Sequence, residues 1–245
     1  VFRTEKDAAG RITRWKWIPD RRGPIRILKQ PEPGVPYVLG GDTAGTGSDY
    51  FTGQLLDNRT GEQVAVLHHQ FGERMYAEQM YCLGMYYNTA LIGVETNYST
   101  YPEMKLEDLG YPNLYVRERL DNYAGKIFLS VGFETTTLTR PVIVDGLKDV
   151  ARENLEAIND YETMGEMLTF VYDENWKPQA EEGKHDDLVM ALAIAHKIRV
   201  QQRTSVERPA EAGTAAWTAD MWDDFNRAGP EAREHLLKLW GTPKR

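Results

Sequence analysis

Cysteine is nearly absent from this chain. Cys82 is the single one among 245 residues, so no disulfide can close within it, and the usage fits a reducing compartment. Long apolar runs are missing as well. No stretch of about 18 apolar residues occurs, which leaves no helix to span a bilayer, and the opening VFRTEKDAAGRITRWKW is too polar for a secretory signal. His68, His69, His196 and His235 show none of the spacing with cysteine that zinc sites use. There is no Gly-x-Ser-x-Gly elbow, so serine hydrolase chemistry has no support. Positive charge is the scarcer sign, 29 Lys and Arg against 37 Asp and Glu, for a net −8. On its face that argues against a nucleic-acid partner, because phosphates are bound by Lys and Arg.

The distribution of charge weakens that last exclusion. Residues 1–30 carry nine Lys or Arg against three acids, so the remainder is correspondingly acidic. A metal-dependent nuclease also tolerates acidic clusters, since divalent ions neutralise them. At 28.0 kDa, with 41% hydrophobic and 27% charged residues, the chain suits one well-buried domain of up to about 200 residues plus extensions.

The chain is organised around residues 37–50, YVLGGDTAGTGSDY. An apolar run ends in two glycines and Asp42, which reads as a strand delivering the carboxylate to its own exposed end. Gly40 and Gly41 are expected to leave clearance beside Asp42. Gly45 and Gly47 are expected to give the loop backbone angles closed to other residues. Ahead of this stretch, Ala9-Gly10 suggests the turn of a polar hairpin carrying Trp15 and Trp17. Pro31, Pro33, Gly34 and Pro36 then suggest an extended connector. This basic segment contacts DNA, contacts an adjoining domain, or is a solvated arm.

Beyond Asp42, strands are expected over 50–56 and 63–69, joined by the hairpin turn Asp57-Asn58-Arg59-Thr60-Gly61. A helix over 73–87 places Tyr76, Met80, Leu83 and Tyr87 on one face. A buried strand over 90–94 ends at Glu95. Then come a short helix over 101–109, a short strand over 113–116 and a hairpin-like stretch over 126–134. Pro141 opens a further helix, whose face runs through Ile143, Leu147, Leu155 and Ile158. A strand over 168–172 follows. After Gly183, Lys-His-Asp-Asp leads into eight apolar residues, 188–195, inside a helix reaching about residue 202. Apolar on every side, it belongs in the middle of a domain, where its first turn presents acids near strand ends. From residue 204 the composition becomes linker-like. Two short helical patterns at 218–227 and 230–240, with Trp217, Trp222, Phe225 and Trp240, fold back on the body or bind a partner.

Two chemistries compete for this pattern. A phosphate loop would need Lys and then Ser or Thr after its last glycine, whereas Gly47 is followed by Ser48-Asp49-Tyr50. A dinucleotide fold would want a helix there, and a strand follows. Carboxylates fit better. Mg²⁺ and Mn²⁺ are hard ions held by oxygen, and a two-metal site needs at least three acids converging from separate elements. Asp42, Glu95 and the Asp186-Asp187 pair supply them, although Asp186 also stands where a helix N-cap belongs and Asp187 where an acid complements the helix dipole.

These residues carry a resemblance. Gly41-Asp42-Thr43-Ala44-Gly45 with Asp49-Tyr50, Val94-Glu95-x-Asn97, Thr139-Arg140-Pro141 with Glu166 after the helix, and Gly183-Lys184-His185-Asp186-Asp187-Leu188 with Ala191 and Ala195 together resemble the C-terminal nuclease domain of the large terminase subunit of tailed bacteriophages, over about residues 12–200. The resemblance implies the ribonuclease H-like fold, an α/β architecture whose central mixed sheet of five or more strands has helices on both faces. It implies that Asp42, Glu95 and one of Asp186 or Asp187 bind two divalent cations, Mg²⁺ or Mn²⁺. Asp187 is preferred, because the first aspartate is the natural cap. His185 is an auxiliary candidate for proton transfer or phosphate contact. Lys126, Arg140 and Lys184, each in a loop or turn near a motif, are candidate DNA contacts.

The implied activity is metal-dependent endonucleolytic cutting of double-stranded viral DNA during genome packaging, with little sequence preference. Its setting would be the host cytoplasm at the procapsid, without membrane or secretion. Implied partners are the portal protein, the small terminase subunit and a terminase ATPase domain whose phosphate-binding motifs this chain lacks. The expected division is a basic arm over 1–36, the nuclease domain over 37–203, and a linker with a helical tail over 204–245. Two other readings stand beside this one. Asp-Thr-Ala-Gly after a strand also resembles the phosphate loop of actin-like ATPases, which need a second such loop not found here. The second is a non-enzymatic module docking on the portal or another terminase subunit through its Trp-bearing tail.

Overall fold

A computed structural model of the chain describes residues 1–43, 45, 50–121, 126–174, 177–202 and 237. Its strands are β1 (Phe2–Lys6), β2 (Ile12–Trp17), β3 (Ile25–Ile27), β4 (Tyr37–Asp42), β5 (Phe51–Asp57), β6 (Gln63–His69), β7 (Leu91–Val94), β8 (Val116–Asp121), β9 (Lys126–Val131), β10 (Phe170–Tyr172) and β11 (Pro178–Ala180). Its helices are α1 (Glu73–Tyr86), α2 (Tyr101–Asp108), α3 (Thr139–Glu153), α4 (Tyr161–Leu168) and α5 (Asp187–Ile198). Five strands form the central mixed sheet in the order β3-β6-β5-β4-β7, antiparallel except for the parallel pair β4 and β7.

Successive residues of a strand point to opposite faces, and the sheet is apolar on both. Val38, Leu56 and Leu91 enter the core built on α5 and α3, with Val189, Leu192, Ile143 and Leu147. Their neighbours Leu39, Leu55 and Ile92 enter the core built on α1, with Tyr76, Met80 and Leu83. Helix α5 buries every residue from Leu188 through Ala195, as its uninterrupted apolar run requires.

The glycines before Asp42 serve this packing, which corrects the expectation that they clear space beside the carboxylate. A Cβ on Gly40 would lie 2.5 Å from the Ala191 carbonyl oxygen and 2.7 Å from the Ala195 Cα. One on Gly41 would collide with the Tyr76 hydroxyl on the other face. Their missing side chains admit a helix against each side of β4.

Other departures are local. Helix α3 stops at Glu153, short of the expected Ile158, because Asn154 leaves helical geometry at φ −150 and ψ 57; a 3₁₀ turn, Leu155–Ala157, follows. Helix α4 and strand β11 were not expected. Strand β9 pairs with β8 rather than within 126–134, while Leu114 makes only a single bridge to Ile92. The basic segment is built into the body: β3 is the edge strand beside β6, and Phe2, 3% exposed, donates its N–H to Gln79 Oε1 of α1 at 2.9 Å. The chain forms two compact units, Val1–Ser205 and Val206–Arg245. The helices expected over 218–240 lie outside the described residues, except for residue 237. Among the described residues no helix is long and apolar enough to cross a membrane.

Candidate metal centre

The parallel pairing of β4 with β7 decides the site, because it ends two adjacent strands on the same side. Asp42 is the last residue of β4, and Glu95 follows β7 with its N–H donated to the Gly41 carbonyl at 2.9 Å. Helix α5 lies across the sheet and begins at the same end with Asp187. Strand β5 fixes that beginning: Thr52 Oγ1 donates to the Asp187 carbonyl at 2.9 Å, and the Tyr50 N–H donates to Asp187 Oδ2 at 3.2 Å. The three acids are 7%, 5% and 9% exposed. They floor an open cleft of about 450 Å³, also lined by Thr43, Asn97, Tyr98, Thr135, Arg140, Lys184, His185 and Asp186.

Burial pushes the Asp42 carboxyl well above the usual carboxylate range, and the adjacent Glu95, hydrogen-bonded to it, pushes the same way, followed by Asp187 and Asp186. Buried like charges of this kind call for a cation or a proton. Oxygen donors of this type suit a hard divalent ion. Among the described residues, no three His, Cys, Asp or Glu side chains are gathered tightly enough to hold a metal ion as they stand. Asp187 is turned toward Tyr50 and toward His185 Nδ1 at 3.6 Å. The donors therefore fit a divalent metal in kind and in burial.

The two aspartates have different partners. Asp186 occupies the N-cap position of α5, yet its side chain makes no capping bond; it is paired with Arg140, which also donates from Nε to the Pro178 carbonyl at 3.0 Å. The capping falls to Glu166 of α4, whose Oε2 accepts from the N–H groups of Leu188 at 2.8 Å and Val189 at 3.2 Å. Burial raises the Glu166 carboxyl to about 7, the two backbone donors opposing and Asp187 adding to the rise. Helix α4 is itself pinned by a buried ladder. Gln63 Nε2 donates to Gln54 Oε1 at 2.6 Å, Gln54 Nε2 to Thr163 Oγ1 at 2.9 Å, and the Thr163 N–H to Asp160 Oδ2 at 2.9 Å. Replacing Glu166 by Ala leaves two helix N–H groups without acceptor and should cost about 1–2 kcal/mol. Glu166→Gln, which keeps an acceptor, should cost less; equal urea midpoints for the two variants would refute the cap.

Of the remaining expected residues, His185 sits edge-on to the Tyr50 ring at 5.6 Å, and Lys184 is exposed on the cleft wall. Lys126 opens β9, and its side chain falls outside what the structure describes. Sequence reasoning missed Thr135, which donates its N–H to Asn97 Oδ1 at 3.0 Å and so ties the loop before α3 to the segment after Glu95. It also missed Glu103 of α2, 4% exposed, with neither carboxylate oxygen hydrogen-bonded. Burial lifts Glu103 from 4.5 to about 8, with Glu95 among the lesser causes. The folded chain therefore holds a proton that the unfolded chain releases near pH 4.5, so its contribution to stability falls as pH rises from there through about 8. With chelator present, wild type should lose up to about 3 kcal/mol more than Glu103→Gln between about pH 5 and pH 8. Parallel urea-unfolding profiles would refute it.

No protein-family model matches the chain. Among solved structures it is similar to the large terminase nuclease from thermophilic phage G20c with bound magnesium, with TM-score 0.56 and 17% identity, covering 73% of this chain and 89% of that one. It is similar to the Thermus phage P74-26 large terminase nuclease domain, with TM-score 0.55, 18% identity and coverage of 72% and 86%. The G20c nuclease with bound zinc gives TM-score 0.53, 18% identity and coverage of 73% and 90%. The chain has the ribonuclease H-like fold of the large terminase nuclease domains.

Proposed function

We propose that this chain is a divalent-metal-dependent endonuclease that hydrolyses phosphodiester bonds of double-stranded DNA with little sequence preference. The observation that carries the reading is the convergence of Asp42, Glu95 and Asp187, each buried and each from a different element, on the floor of one open cleft. The similar G20c nuclease has been solved with magnesium and with zinc bound, which supports a divalent ion among the carboxylates here. Asp42, Glu95 and Asp187 would hold two ions, Mg²⁺ or Mn²⁺. Bound there, divalent ions supply an activated water and charge neutralisation at the phosphate.

The rest of the chemistry belongs to the chain. Tyr50 and Thr52 fix the start of α5, and with it Asp187. Arg140 holds Asp186 in an ion pair, which favours Asp187 as the ligand of the pair. Lys184 offers an ammonium to a non-bridging phosphate oxygen. His185, 3.6 Å from Asp187, is placed to hold or pass a proton at a ring nitrogen. The setting consistent with this activity is viral genome packaging beside a terminase ATPase domain, the portal and a small terminase subunit. Supercoiled plasmid should be nicked and linearised with Mg²⁺ or Mn²⁺ and left intact with chelator, and double-stranded RNA should survive both. Cutting that persists in chelator would overturn the reading.

A further inference from the structure

The cleft is poorly provided with positive charge for a DNA substrate. Of the cations that line it, Arg140 is already committed to Asp186, leaving Lys177 and Lys184 beside four carboxylates. The β1–β2 hairpin has the opposite balance. One of its faces is tied down: Phe2 stands against Trp15, Trp17 and Tyr86 with ring centroids 5.0 to 5.6 Å away, and Lys6 pairs with Glu78 of α1 at 2.5 Å. The alternation of a strand then turns Arg3, Arg14 and Lys16 outward. Arg3 is paired directly with Lys16 across the ladder, and Arg14 with Glu5.

Cross-strand and next-but-one neighbours bring the three Cα atoms within about 8 Å of one another. All three side chains are exposed, as are Arg21 and Arg22 in the turn after β2. Among the described residues none of the five makes an ion pair, in contrast to Lys6, Arg11, Arg26 and Lys29 of the same segment. The hairpin's direction is set by its contacts, Phe2 lying against Gln79 and Tyr86 and Lys6 against Glu78. Its tip therefore points along α1 toward Glu73. Helix α1 starts just after β6, which runs in the same sense as β4 because both are antiparallel to β5. The tip is thus on the Asp42 end of the sheet.

We infer that the outer face of the β1–β2 hairpin, carrying Arg3, Arg14 and Lys16, is a docking surface for the phosphate backbone of duplex DNA outside the cleft. The inference rests on the nuclease reading for the identity of the ligand. Charge complementarity carries it: three cations without an ion pair among the described residues share this face of the tied-down ribbon with one acid, Glu5, in a chain whose other charge is acidic. The surface reads no bases, so it would hold any sequence equally.

The test separates binding from cutting. Affinity for a short blunt duplex would be followed by fluorescence anisotropy in chelator, across a salt series, for wild type and for Arg3→Gln/Arg14→Gln/Lys16→Gln. Each phosphate contact contributes about 0.9 to the slope of log affinity against log salt, so three contacts make wild type lose about forty-fold more affinity than the variant between about 50 and 200 mM salt. The doubly substituted Arg3→Lys/Arg14→Lys should keep the wild-type slope, and Arg152→Gln/Lys197→Gln, exposed cations elsewhere, should change it little. Equal slopes for wild type and the triple Gln variant, each confirmed folded by thermal unfolding, would overturn the docking surface even if metal-dependent cutting is intact. A lowered slope in a chain that never cuts would support the surface while the nuclease reading fails.

Discussion

Asp42→Asn should abolish metal-dependent cleavage and at the same time make the metal-free protein harder to unfold. The substitution keeps shape and nearly all packing, so the two effects isolate charge. On the catalytic side it removes a carboxylate from a floor made of three, and the loss should be at least about 10³-fold, at or beyond the about 10²–10³ that follows removal of a single oxyanion donor. On the stability side Asp42 is buried against Glu95, with Asp187 and Asp186 adding to the repulsion. Its folded-state pKa lies above the unfolded one, so stability declines as pH rises through the raised value. The amide has no such decline and should unfold at higher urea than wild type in chelator at pH 8. With Mg²⁺ added, wild type should gain stability by ligand linkage and the variant little. A variant that cuts at wild-type rate would sink the site; one that is inactive but no more stable would remove the charge argument while leaving the ligand role.

The second large effect concerns a residue with no side chain. Gly40→Ala adds one methyl, and it would fall 2.5 Å from the Ala191 carbonyl oxygen and 2.7 Å from the Ala195 Cα. Both are backbone atoms of a helix buried along its whole apolar run, so neither can step aside as a flexible side chain would. Overpacking of well-filled cores costs about 1–3 kcal/mol and occasionally more, and contact with rigid backbone belongs at the upper end. For a unit of this size, 3 kcal/mol corresponds to a fall in melting temperature of roughly 10 °C. Any relief must push α5 away from β4 and carry Asp187 with it. A displacement of about 1 Å near a reacting centre is worth roughly 10²-fold in rate. Activity should therefore fall even at temperatures where the variant remains folded. Unchanged melting and unchanged cutting would mean that α5 does not rest on Gly40.

Much of this was legible along the chain because it is encoded locally. The run ending at Asp42, the strand leading to Glu95 and the apolar helix that opens at Asp187 each show a pattern that a short window reveals, although the strand stops at Val94 and the helix at Ile198, where a 3₁₀ turn takes over from the expected run to about residue 202. What stayed hidden depends on meetings across the chain. Nothing around Glu166 says which helix it will cap, since its partners are 22 and 23 residues away. The same holds for the Gln54–Gln63–Thr163 ladder, and for Gly40 and Gly41, whose neighbours come from α5 and α1. A glycine before an acid looks like clearance for a ligand until the packing helix is in view. The basic amino-terminal segment hid its edge strand for a related reason: Ile25–Ile27 is only three residues long, too short for alternation to declare itself.

The bond between the Tyr50 N–H and Asp187 spans 137 residues, and that distance along the chain has a consequence in time. Contacts of long sequence separation form late, because loop closure must be met before they reward the fold. During synthesis the acid at residue 42 would emerge long before the one at 187, at about 5–20 residues per second. For several seconds the growing chain would hold Asp42 and Glu95 but no third carboxylate. On the proposed nuclease reading, a chain assembled in this order would stay inert until helix α5 docks and brings Asp187 to the other two acids.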